Sequence, residues 1–401
     1  MSMIRASQRV LLICAVLVLN LKGTIAMAQD DVRAAVWTAP VHVTDLSCVE
    51  AVYVYYRQAE GRLDYLRAEP QLSACPTDET ETSPPPPAPV TEPAPPAEAY
   101  TFRKSAWIWE TGLWREDPSG LLQRASDGGY DRLFIALEIE DGVVAHQDAL
   151  AAFIRSGLAQ GVEVLAVEGD PRMVTPEGLE YALGRARAIA AYNEARPEAP
   201  LAGLQYDIEP YLLEIYKADP AGVLEKWSAA IRALSAAYGD RVGAVIPFWM
   251  PAAPGGMPAL TAASPSIRSL TAMAYRTDPD AIASAASGVL AAGQELGLPV
   301  NVALEAGPLE DEYLFVYRRS PSGELLLSPD QGPEQTVSLF SDAVHPQGDA
   351  AAFSYSHSVT APASRVSFLG DGEALEAALN ETRARLAAHP SFAGIALHGV
   401  F

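Results

Sequence analysis

Eight short apolar runs, alternating with helical patterns over the last 300 or so residues, predict an α/β chain of the (β/α)8 (TIM) barrel class. Three observations carry this reading. Most of the runs are near-continuous in apolar residues, as strands buried on both faces are. The first seven begin roughly 25–45 residues apart, which suits one strand, one helix and two loops each. The runs also end on polar or aromatic residues, at the C-terminal strand ends where such barrels carry their chemistry.

The candidate strands are 105–110, 131–138, 161–168, 203–209, 242–249, 269–276, 299–305 and 393–398. Asp219-Pro220 and Asp278-Pro279 place a capping residue before a proline at the first helical position. Val223, Leu224, Trp227, Ile231 and Leu234 then share one helix face, and Gly239 ends that helix. The gap of about 90 residues between strands seven and eight holds a long insertion, from Pro308 to about Leu369, before a helix near 373–388. Phe353-Ser-Tyr-Ser-His357 within it is either an extra strand or a replacement for one of the eight.

The 401-residue chain also extends well before the barrel. Arg5 and Arg9, the apolar run 10–19 and Ala26-Met27-Ala28 read as a signal peptide over 1–28, with the mature chain starting at Gln29. The run is too short for a membrane span. An exported protein, periplasmic or secreted, is therefore expected. Residues 29–80 form a small segment whose β-branched and aromatic residues around 51–56 suggest strand. It is too small to bury much core alone. Residues 81–100 are a Pro-rich linker of extended polyproline character, and 101–401 form the barrel domain. Cys48 and Cys75 outlast signal removal. In an oxidising compartment they could pair as a disulfide; otherwise they are two free thiols. No His or acid pattern marks either as a nucleophile.

Removing Arg5, Arg9 and Lys22 takes the 28 basic residues to 25 against 50 acidic ones, a net charge of −25. Such a surface repels phosphate backbones and anionic lipid. Nucleic acid and membrane surfaces are thus poor partners, and a neutral or cationic ligand to a monomeric protein fits better. The sequence has no H-e-x-x-H pattern, no paired C-x-x-C and no Walker or dinucleotide glycine fingerprint. No metal or cofactor is expected.

The strand ends supply Glu110, Glu138, Glu168 with Asp170, Asp207 with Glu209, Trp249, Tyr275 with Arg276, Glu305 and His398. The fourth strand is the most specific. Gln205, Asp207 and Glu209 alternate, so their side chains share one face. Two carboxylates on one buried face repel, and one pKa rises. A general acid needs that arrangement at neutral pH. The alternative is a polar barrel layer closed by internal hydrogen bonds.

Gly203-x-Gln205-x-Asp207-x-Glu209 resembles the fourth-strand motif of the family 18 glycoside hydrolases, the chitinase-like barrels, whose pattern is D-G-x-D-x-D-x-E. Met273-Ala-Tyr275 is similar to that family's M-x-Y-D. The resemblance implies that Glu209 protonates the leaving oxygen and that Asp207 orients and stabilises an acetamido group. It also implies that Tyr275 hydrogen-bonds that group, whose own carbonyl acts as the nucleophile. Ala202 and Gln205 replace the first two acids, Arg276 replaces the Asp after the Tyr, and strand eight ends in Leu397-His398 without a Trp floor. The resemblance is that of a distant relative.

A second resemblance is to retaining barrel glycosidases with an acid/base Glu ending strand four and a nucleophilic Glu ending strand seven. Glu209-Pro210 and Glu305 are similar to those positions, with Ile208 in place of the usual Asn. That chemistry requires carboxyls about 5–5.5 Å apart. Arg276 is expected either to pair with Glu305 and keep it ionised or to form a structural ion pair across the mouth. Trp249 is the leading sugar platform. Trp109, Glu168 and Gln205 are further candidate contacts, and Tyr211 and Tyr275 lie nearby. His398 is read as a substrate contact, a proton shuttle or a satisfied core residue. The expected function is an exported glycoside hydrolase acting on an envelope or extracellular polysaccharide. The alternative is a non-catalytic glycan-binding protein on the same barrel.

Overall fold

A computed structural model of the chain describes residues 35–42, 46–59, 62–72, 100–329 and 334–401. The signal-like segment, Cys75 and the Pro-rich stretch lie outside these residues. The described residues fall into two compact units, one built from 100–309 and 364–401, the other from the stretch before 73 together with 310–363.

The first unit is a closed barrel of eight parallel strands. In barrel order they are Arg103–Ile108, Arg132–Ile135, Glu163–Glu168, Leu204–Tyr206, Val242–Pro247, Ile267–Met273, Val300–Glu305 and Phe392–His398. Each of the eight expected runs supplies one strand, in the expected order. The helices between them start as their sequences require. Asp219 accepts a hydrogen bond from Gly222 N–H at 2.9 Å and Asp278 from Ala281 N–H at 2.9 Å, each with proline in the first turn. Gly239, at φ 86°, closes the helix Pro220–Tyr238 in a left-handed conformation that glycine adopts without strain. Val223, Leu224, Trp227, Ile231 and Leu234 of that helix are all buried. Each such side chain contributes about 1.5–3 kcal/mol on leaving water.

The second unit is a seven-stranded antiparallel sheet. Ala35–His42, Val49–Ala59 and Arg62–Leu72 come from the N-terminal segment. Glu312–Ser320, Gly323–Pro329, Glu334–Val344 and Ala351–Ala361 come from the insertion. Ala35–His42 pairs with Glu334–Val344, and Val49–Ala59 with Glu312–Ser320. A segment too small for a core of its own thus shares one with distant residues, around Val52, Val54, Tyr56, Leu325, Val337 and Phe353. The 353–357 stretch is a strand of this sheet and displaces none of the barrel's eight. Cys48 is buried and disulfide-bonded. No described helix is long and apolar enough to cross a membrane.

Candidate active site

Strand parity fixes what faces the barrel interior. Trp107, Phe134, Leu165, Val167, Val245, Met273 and Ala303 form one buried cluster. Their sequence neighbours, such as Ala106, Ile135, Ala166, Ala244 and Ala272, pack outward with the helices. Gln205 belongs to the inner face. Its Oε1 accepts a hydrogen bond from Trp107 Nε1 at 2.7 Å, and its Nε2 donates to Thr271 Oγ1 at 3.1 Å. Gly243 on the next strand makes room for it, since a Cβ there would stand 3.2 Å from Gln205 Cγ. Gln205 therefore cross-links three strands within the barrel. It does not sit as the substrate contact expected from sequence, because its amide is 1% exposed and already partnered.

Asp207 and Glu209 follow on the same face, beyond the last hydrogen-bonded residue of the strand. Asp207 N–H donates to Glu168 O at 2.8 Å, which anchors the departing backbone. The neighbouring loop comes so close that a Cβ on Gly169 would lie 2.6 Å from Asp207 O. Asp207 Oδ1 is buried without a hydrogen-bond partner among the described residues. Burial raises the Asp207 carboxyl to about 6, with the charge of His398 pulling the other way. Glu209 is 9% exposed. Burial lifts its pKa well above the usual carboxylate range and the Asp207 charge lifts it further, while a hydrogen bond from the Tyr211 hydroxyl to Oε1 opposes both. The two carboxyls therefore act on each other.

Aromatic rings gather beside this pair. Tyr211 meets Trp249 edge-on, with centroids 5.2 Å apart at 75°, and Tyr216 lies 6.2 Å from Trp249. Tyr275 is buried in the inner cluster with Trp107 and Tyr211. Trp109 packs partly buried against that cluster, and its Nε1 has no partner among the described residues.

Glu305 is 2% exposed, and both its oxygens are engaged. Oε1 accepts from Gly307 N–H at 2.7 Å, and Oε2 stands 2.6 Å from His398 Nδ1. Arg276 does not pair with it. The guanidinium donates instead to Tyr275 O at 2.6 Å and lies over the Phe248 ring, 5.1 Å from its centroid. It makes no ion pair among the described residues. Glu168 also departs from expectation. Parity turns it outward, where Arg185 holds it by two hydrogen bonds of 2.7 Å while reaching Leu137 O at 2.9 Å. It secures a helix to the barrel.

Of the remaining strand-end acids, Glu138 binds Thr111 at 2.8 Å, Arg115 at 2.9 Å and His146 at 3.2 Å. Burial works against its ionisation, but these partners together hold its carboxyl below the ordinary value. Asp170 caps the turn that follows it and pairs with Arg172. Glu110 is exposed. The structure thus brings together Asp207, Glu209, Tyr275, Trp249 and the Glu305–His398 pair. Sequence reasoning passed over Trp107, Thr271 and Tyr216. The first two lie at the parity positions below Trp109 and Met273, so alternation would have found them. Tyr216 comes from a helix beyond the loop and has no such signal. Among the described residues, no group of three or more His, Cys, Asp or Glu is placed to hold a metal ion.

No family model and no curated protein sequence matches the chain. In structure it is similar to the spore cortex-lytic enzyme SleL of Bacillus cereus, at 9% identity and a TM-score of 0.40, over 76% of this chain and 72% of that one. It is likewise similar to a chitinase from Chromobacterium violaceum, at 12% identity and 0.40, over 74% and 93% of the two chains. A GH113 beta-1,4-mannanase matches at 10% identity and 0.42, over 75% and 88%. Family 18 chitinases stand among these neighbours. The likeness is one of fold.

Proposed function

We propose that the chain is an exported glycoside hydrolase that cleaves an envelope or extracellular polysaccharide, with Glu209 as the general acid. One observation carries the reading. Asp207 and Glu209 follow one another on one face beyond the end of the fourth strand, Asp207 half-buried and Glu209 buried, and burial together with the Asp207 charge lifts the Glu209 carboxyl well above the usual range. Asp207 takes the negative charge and Glu209 keeps the proton that a leaving oxygen needs. Asp207 Oδ1 and Trp109 Nε1, a buried acceptor and a buried donor without partners, suit a ligand that offers both donors and acceptors, as a sugar does. Trp249, braced by Tyr211 and Tyr216, offers a ring on which a sugar face can stack.

Glu305 fits the double-displacement reading less well, because both its oxygens already have partners and because Asp207 is the carboxylate that acts on Glu209. Asp207 and Tyr275 are the better companions of the acid. The signal-like segment 1–28 supports export.

The test is E209Q, assayed on a panel of polysaccharides at several pH values. Hydrolysis should fall by about 100-fold or more, with the circular dichroism spectrum unchanged. Full activity in that variant sinks the assignment. A second reading, a non-catalytic glycan-binding protein, is favoured by Ala202 and by Gln205, whose amide is locked by Trp107 and Thr271. Binding without cleavage across the panel would select it.

A further inference from the structure

The two oxygens of the Glu209 carboxyl are placed differently, and the local chain explains why. Pro210 follows Glu209 directly, fixes the next backbone angle and opens a single 3₁₀ turn, Pro210–Leu212. Leu212 N–H donates to Glu209 O at 3.0 Å and Leu213 N–H to Pro210 O at 3.1 Å. The turn brings Tyr211 back beside the acid two residues earlier, and its hydroxyl donates to Glu209 Oε1. Packing fixes the ring as well. Tyr211 is buried, and it meets Trp249 and Tyr216 edge-on, at 5.2 and 6.5 Å between centroids. Glu209 Oε2, by contrast, makes no hydrogen bond among the described residues.

We propose that Tyr211 is the positioning residue of the acid: its hydroxyl holds Oε1 as an acceptor, so that Oε2 is the oxygen that carries the proton and delivers it. The proposal rests on Glu209 being the general acid. A protonated carboxyl has one O–H donor and keeps acceptor capacity on its other oxygen. With Tyr211 donating to Oε1, the proton belongs on Oε2. In the transfer the Oε2–H bond breaks and the proton goes to the leaving oxygen. That oxygen keeps the electron pair of the glycosidic bond, and water supplies the new bond at the sugar carbon. The negative charge left behind falls on a carboxylate to which Tyr211 already donates, and such a bond strengthens when its acceptor is ionised. Tyr211 also governs how readily the proton leaves. Burial and the Asp207 charge both hold the proton on Glu209, and an acid that binds its proton too tightly is a poor donor. The Tyr211 hydrogen bond works against both. The other groups around the acid are few. Asp207 is the charge that acts on it, and His398 acts on Asp207. Tyr275, after the sixth strand, packs in the same inner cluster as Tyr211, and Trp249 adds a neutral ring. The Arg276 cation turns to Phe248.

The test is a carboxyl-carbon NMR titration of the full chain, with E209Q used to assign the Glu209 signal. It needs no turnover, so its result is separate from whether Glu209 cleaves a glycan. Y211F keeps the ring and loses the hydroxyl. Its Glu209 midpoint should rise by about one pH unit, the worth of one hydrogen bond to a charged group. Y216F removes a hydroxyl that makes no hydrogen bond to Glu209 among the described residues, and should leave the midpoint in place. Circular dichroism checks each fold, and Y211M replaces Y211F if that variant does not fold. A midpoint that stays or falls in the Tyr211 variant overturns the proposal, because Tyr211 would then not be donating to the carboxylate. An equal rise in Y216F overturns it too, since loosened packing would account for both. On a cleaved glycan, the alkaline limb of kcat/KM against pH should move up in Y211F by the same interval. A limb that stays while the NMR midpoint moves overturns the role in proton delivery. Full activity in E209Q overturns the acid reading beneath it, whatever the titration shows.

Discussion

Asp207 ties the candidate site to the stability of the whole barrel, and D207N exposes the link. Burial raises the Asp207 carboxyl from 3.8 to about 6. At 1.36 kcal/mol per unit, that rise corresponds to about 3 kcal/mol. The sign follows from the direction. A carboxyl whose folded-state pKa is raised contributes stability that is fully present below the unfolded value. That contribution is lost as pH rises through the folded value, here between about 4 and 6. Asparagine has nearly the same shape and never ionises. D207N should therefore match the parent near pH 4 and exceed it by about 3 kcal/mol at pH 7.5. Removing the Asp207 charge also relieves Glu209, whose pKa that charge lifts, so the second effect has the same sign. Urea unfolding of both proteins at pH 4.0 and pH 7.5 measures the difference. The reasoning is refuted if the stability gap between D207N and the parent is equal at the two pH values. It is also refuted if D207N is the less stable protein at pH 7.5.

Two further substitutions test the surroundings. E168Q leaves the Arg185 guanidinium without its buried counter-charge and should cost about 3–5 kcal/mol in chemical denaturation. If Glu168 were instead an exposed cleft residue, the loss would stay below about 1 kcal/mol. G399A forces a side chain into a position with φ +71° and onto Glu305 Oε1. It should lower stability by at least about 1–2 kcal/mol from the backbone alone, visible as a reduced thermal midpoint.

The barrel was legible because its signals are local. Each strand is an apolar run, each gap fits one helix, and Asp219-Pro220, Asp278-Pro279 and Gly239 mark helix ends within a few residues. The second unit was not legible as a unit, because its sheet joins Val49–Ala59 to Glu312–Ser320. Antiparallel pairing over more than 250 residues of separation leaves no mark in either segment. Alternation in Val52, Val54 and Tyr56 shows that one face is buried, but not against what.

At the site the difficulty was narrower, and it concerns parity. Glu168 and Glu209 are both acids at or just beyond a strand's C-terminal end. Their difference is which face their run presents. In the third strand Leu165 and Val167 belong to the inner cluster, so Glu168 must face outward, where Arg185 takes it. In the fourth, Gln205 is inward, so Asp207 and Glu209 are inward as well. Parity alone does not choose the face of an all-apolar run, since both faces are buried in a barrel. It needs one residue whose side is known from chemistry. Gln205 can serve, because a polar amide in the middle of a buried strand must reach partners across the barrel. Leu165 and Val167 carry no such mark. A motif with an internal polar residue could therefore be oriented from sequence, and a purely apolar strand ending in glutamate could not. The same rule explains Glu305. Asn301 sits four residues before it on the same face, 3% exposed, and gives the seventh strand the polar marker that the third strand lacks.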